Sequence, residues 1–181
     1  TGYRNVSGST MATPDGNVLN LAITAAKEKP YVQKAFTAPN PYAPDKFPWM
    51  AISFRIPEGE FPTAAPFTVN FHPGKRRPGG IKDVHSLDPA DSACQKFLAC
   101  KPRSEWKTGE WIDLLLNVHD FLAAESSEKK DAPDVAYITI FFNPDLVKRS
   151  VQLRSIALVS PRSSYSLFGV RPLHISGMRG R

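Results

Sequence analysis

Three stretches decide the reading of this chain. They are Trp111-Ile112-Asp113-Leu114-Leu115-Leu116-Asn117-Val118, then Ala136-Tyr137-Ile138-Thr139-Ile140-Phe141-Phe142, then Val151-Gln152-Leu153-Arg154-Ser155-Ile156-Ala157-Leu158-Val159. All three are apolar and rich in β-branched or aromatic residues, and turn residues such as Asn143-Pro144-Asp145 separate them. Runs of this kind predict three antiparallel strands of a β-sandwich.

Upstream the same pattern repeats. Residues 17–24 alternate, with Leu19, Leu21 and Ile23 on one face. Residues 31–37 form a further candidate strand. In residues 49–56, Met50, Ile52, Phe54 and Ile56 are expected inward and Trp49, Ser53 and Arg55 outward. In residues 67–72, Phe67, Val69 and Phe71 go inward, and Thr68, Asn70 and His72 face out. The chain holds 17 prolines, mostly between these runs, which suits short strands and irregular loops better than long helices. Residues 1–16 are polar and rich in Gly, Ser and Thr, and read as an arm or loop; Asn5-Val6-Ser7 within them has the pattern of a glycosylation sequon. A short helix is expected near residues 93–98, a loop with a helical turn over 119–134, and a last strand over 165–170. Residues 176–181 read as a mobile basic end.

Composition narrows the classes. At 181 residues, 41% of them hydrophobic, the chain is expected to be one domain over residues 1–181 with its own core. Its start at Thr1-Gly2-Tyr3, without Met, fits a processed product or an excised domain. No apolar run approaches the roughly 20 residues that cross a bilayer, so no membrane span is expected. The net charge of +6 favours polyanionic partners, unless it is general basicity of no special use. Apart from Lys75-Arg76-Arg77 the cations are dispersed, which argues against nucleic acid. Cys94 and Cys100 either close a small disulfide loop in an oxidising compartment or remain two buried thiols. Neither a metal site nor a cofactor is expected. His72, Asp83, His85 and Asp88 lack ligand-pair spacing on a regular element, and no phosphate loop, dinucleotide fingerprint or Gly-x-Ser-x-Gly occurs.

The order of the runs resembles the galactose-binding-like jelly roll of carbohydrate-binding modules. In that family a Trp often opens an apolar strand that ends in a polar step, matched here by Trp111 through His119-Asp120-Phe121. An Ile-x-Ile-x-Phe strand is matched by Ile138, Ile140 and Phe142. A closing strand of the type Val-x-Ile-Asp-x-Val-x-Leu is matched by Val151, Leu153, Arg154, Ile156 and Leu158, with Arg154 standing where the family often has Asp. No acidic cluster matches the structural calcium that many members carry. The resemblance implies an all-β, two-sheet antiparallel jelly-roll sandwich that binds sugar without catalysis, in an extracellular or periplasmic setting.

Sugar binding needs flat rings for pyranose faces and polar groups for hydroxyls. The outward residues Trp49, Arg55, His72, Trp111, Tyr137 and Phe141, with Arg76 and Arg77 in the loop after His72, are the candidate ligand-binding set. Their mixture of rings and cations predicts one shared exposed face for polysaccharide, including acidic polysaccharide. No catalytic residue is assigned. The alternatives are a lyase or hydrolase of acidic polysaccharide, in which Tyr137, His72 and Arg55 would serve, and a protein-interaction sandwich whose rings mark a partner surface. A catalytic domain or another protein is the further partner to expect.

Overall fold

The computed structural model describes residues 2–13, 16–25, 29–36, 42–73, 85–87, 103–125 and 135–168. Its strands are β1 (Gly2–Arg4), β2 (Val6–Thr13), β3 (Gly16–Ile23), β4 (Tyr31–Ala35), β5 (Trp49–Arg55), β6 (Phe67–Pro73), β7 (His85–Leu87), β8 (Ile112–Asn117), β9 (Val135–Phe142), β10 (Ser150–Val159) and β11 (Ser164–Ser166). Among the described residues one α-helix, α1 (Val118–Glu125), follows β8 directly.

The strands form two antiparallel sheets. One runs β1-β4-β9-β6-β7, the other β2-β3-β10-β5-β8, with β11 beside β10. Set aside β1, β2 and β11, and the order is β4-β9-β6-β7 facing β3-β10-β5-β8. This is the jelly-roll arrangement, in which two Greek keys wrap into a double sheet. The three decisive runs become β8, β9 and β10, yet no two of them are neighbours. β8 and β10 flank β5 in one sheet, and β9 is the middle strand of the other.

The core lies between the sheets and follows the alternation. Met50, Ile52, Phe54 and Ile56 meet Val69, Phe71, Ile138, Ile140 and Phe142 there, each almost wholly buried. Phe54 and Phe67 stand edge to face with ring centroids 5.0 Å apart, and Trp106 packs edge-on against Phe54 at 5.6 Å. Such contacts add about 0.5–1.5 kcal/mol each beyond the area they bury.

Residues 1–16, expected as an arm or loop, correct the reading. They hold β1 and β2, and the chain passes from one sheet to the other at Asn5, with φ at 54°. The hydrophobic period that reveals a strand is missing because β2 is a sheet edge. Only Val6 is buried, and residues 7–12 are exposed on both faces. Backbone pairing with β3, from Val6↔Ile23 to Thr13↔Gly16, holds β2 in place. The last strand is also shorter than expected, Ser164–Ser166, while α1 supplies the helical turn expected after residue 119. The helix expected at residues 93–98 and the residues Cys94 and Cys100 lie outside the described residues, as does the basic end at 176–181.

Candidate functional site

The outward residues divide between two faces of the sandwich. On the outer face of the five-stranded sheet, β4 presents Tyr31 and Gln33, β9 presents Tyr137, Thr139 and Phe141, and β6 presents Thr68, Asn70 and His72. The register sets these side by side: Tyr31 beside Phe141, Gln33 beside Thr139, Asn70 beside Thr139 and His72 beside Tyr137. His72 and Tyr137 stack with centroids 4.0 Å apart and planes 17° from parallel. Tyr31 and Phe141 meet edge to face at 5.5 Å. From Tyr137 to Phe141 is four residues of strand, about 14 Å, enough for more than one sugar ring.

Thr139 ties the centre of this face together. Gln33 Nε2 donates to Thr139 Oγ1 at 3.2 Å, and Thr139 Oγ1 lies 3.2 Å from His72 Nε2. Desolvation lowers the His72 pKa below the usual imidazole value and favours the neutral ring. The Thr139 hydroxyl then donates to Nε2, which leaves the imidazole proton on Nδ1. Tyr31, Gln33, Thr68, Asn70, His72, Tyr137 and Phe141 are all partly exposed, while Thr139 is buried beneath them. Among the described residues of this face there is no carboxylate.

The outer face of the six-stranded sheet carries Trp49, Arg55 and Trp111. Arg55 Nε and Nη2 both donate to Gln152 Oε1, at 2.9 and 2.6 Å, and Gln152 Nε2 donates to Asn20 Oδ1 at 3.3 Å. The Arg55 guanidinium lies 4.6 Å from the centre of the Trp111 ring, and that of Arg154 lies 4.8 Å from it. Arg154 also donates to Asp113 Oδ1 and Oδ2 at 3.1 and 3.3 Å and to Ser53 Oγ at 3.2 Å. Ser53 Oγ donates in turn to Asp113 Oδ1. At the other end of the face, Trp49 packs on Ala51, Leu115, Ala157 and Val159.

The single shared face expected for the candidate set is therefore two faces. His72, Tyr137 and Phe141 come together on one sheet, and Arg55, Trp111 and Trp49 on the other. Packed sheets stand about 10 Å apart, so the two sets cannot touch the same sugar. Arg55 is thereby removed from Tyr137 and His72, with which a lyase would have had to combine it. Arg76 and Arg77, with Lys75, lie outside the described residues. So do Asp83 and Asp88, while His85 opens β7. Residues that sequence reasoning did not select also belong to these faces, among them Tyr31 and Gln33 on β4, and Gln152 and Arg154 on β10. Part of their signal was present, since Tyr31 and Gln33 flank the inward Val32 and Gln152 lies between the inward Val151 and Leu153.

Among the described residues no group of three or more His, Cys, Asp or Glu is arranged to hold a metal ion. Among the same residues, no helix is long and apolar enough to cross a membrane.

No protein-family model matches this sequence, and no curated protein matches it. Among solved structures, one described as that of PfGH50B matches 94% of this chain and 23% of its own, at 15% identity and a TM-score of 0.39. An exo-beta-agarase matches 97% of this chain and 24% of its own, at 14% identity and a TM-score of 0.43. The chain thus spans about a quarter of the length of each of these solved chains.

Proposed function

We propose that this chain is a non-catalytic polysaccharide-binding domain and that the glycan lies along the outer face of the five-stranded sheet. One observation carries the reading. Across β4, β9 and β6, four rings (Tyr31, Phe141, Tyr137 and the His72 imidazole) surround a centre of amides and hydroxyls, Gln33, Thr139, Thr68 and Asn70. Rings receive the apolar faces of pyranoses, and amides and hydroxyls pair with sugar hydroxyls. A glycoside hydrolase needs two carboxylates about the scissile bond, and the described residues of this face supply none. Such a domain belongs outside the cytoplasm, where polysaccharide is met, carried with or beside a catalytic domain.

The test is retention of the chain on gels or beads of neutral and acidic polysaccharides, repeated with Tyr137→Ala and Phe141→Ala. Loss of one ring should weaken binding by about 2- to 12-fold, in keeping with about 0.5–1.5 kcal/mol per aromatic contact. If no polysaccharide retains the chain, or if both variants bind as well as the parent, the proposal is wrong.

A further inference from the structure

The polar cluster on the opposite sheet plays no part in that glycan face. We propose that Arg55, Arg154 and Trp111 form a second site, which takes the carboxylate or sulfate group of an anionic saccharide.

The charges do not close among the described residues. Two guanidiniums share the Trp111 ring, and the only carboxylate bonded to either is Asp113, which pairs with Arg154. Arg55 has neutral partners there, the Gln152 carbonyl and the indole. Its Nε and Nη2 are engaged by Gln152, while Nη1 takes part in neither bond. A guanidinium laid on an indole and anchored by one edge keeps its fork in a fixed plane, the arrangement that suits a planar or trigonal oxyanion.

The anchors are themselves rigid. Gln152 is 8% exposed and held by Asn20, and Ser53 is fully buried beneath Arg154. The two arginines and Trp111 are half-buried, so an approaching anion meets a preformed and accessible site.

Backbone geometry brings Arg154 into the cluster. Leu153 pairs with Phe54 and Ser155 with Ser53, which leaves Arg154 as the extra residue of a β-bulge. Bulges re-aim side chains and recur beside functional sites. Here the bulge carries Arg154 over Ser53 to Asp113 on β8, so a carboxylate already occupies one position in front of these cations. The net charge of +6 draws polyanions toward the chain at long range.

Four probes separate the outcomes for the full chain: a uronic-acid tetrasaccharide, a sulfated tetrasaccharide, a neutral tetrasaccharide and sodium sulfate, each titrated calorimetrically at low and moderate salt. Arg55→Gln should weaken the anionic tetrasaccharides at least about tenfold, the size expected when a charge-assisted hydrogen bond is lost. Arg55→Lys should weaken them nearly as much, because a point charge lacks the fork. Neither change should alter binding of neutral polymer, and Tyr137→Ala should spare the anionic probes. Binding of the uronate, the sulfated sugar or both supports the site and names its anion. Wild-type affinity in Arg55→Lys would reduce the effect to bulk charge and overturn the proposal. Equal loss with Tyr137→Ala would overturn it too, by placing the anion on the other sheet, as would a response to sodium sulfate without binding of either anionic sugar.

Discussion

The imidazole of His72 lies flat on Tyr137, takes a hydrogen bond from Thr139, and has its pKa lowered by desolvation. Since the unfolded chain binds this proton more readily than the folded chain, stability rises with pH through the interval between the two pKa values. The contribution is complete above the unfolded value, about 6.5, and is lost as pH falls toward the lower folded value. Thermal unfolding between pH 7.5 and 5.5 should therefore show a larger fall in Tm for the parent than for His72→Phe, which keeps the ring stack and cannot charge. Equal falls would mean that His72 adds nothing to the acid response. Alternation told that Trp49, Arg55, His72, Tyr137 and Phe141 point away from the core. It could not tell which outer face each belongs to, because a period of two distinguishes only in from out. That assignment depends on the partner each strand finds, and those partners are distant in sequence.

β10 shows how much an element can reveal locally. Its inward residues are Val151, Leu153, Ile156 and Leu158, so one step is three residues instead of two. The irregular step is the bulge, and it is legible in the sequence, though its partners are not. It yields a prediction at the scale of the strand. Arg154→Ala removes one partly exposed ion pair, of the class worth about 0–1 kcal/mol, and should lower stability only slightly. Deleting Arg154 removes the extra residue and leaves Val151, Leu153, Ile156 and Leu158 at every second position, so the two halves of the strand fall into one regular phase. All four then keep their inward direction, and Leu153, Ser155 and Ile156 meet Phe54, Ser53 and Ile52 in an unbroken ladder. Urea unfolding should find both the substitution and the deletion cooperative and close to the parent. A deletion variant without a cooperative transition would show that the bulge itself is needed to hold β10 in place. β2 is the opposite case. A strand that buries only Val6 leaves no hydrophobic period to read, and only its pairing with β3 reveals it.

For the whole molecule, the sandwich class followed from the number and spacing of apolar runs, while the jelly-roll order followed from the resemblance and is now seen in the sheets. Which strands lie side by side was not legible, since register between distant strands is set by the packing of both sheets together. β9 is the middle strand of one sheet and β10 the middle strand of the other. A fragment of residues 1–134 has neither. In it β4 and β6 have lost their shared neighbour, and β3 and β5 have lost theirs. Circular dichroism of that fragment should show no cooperative thermal transition; a sharp one would mean that the earlier strands can close without β9 and β10. The same placement governs how the chain leaves the ribosome. β3, β5 and β8 are made first, and the strand that joins β3 to β5 comes near the far end. At ordinary rates of synthesis the wait from β3 to β10 is about ten seconds, during which the apolar sides of β3 and β5 have no lasting cover. The order of strands along the gene thus sets how long a nascent chain must be kept from its neighbours.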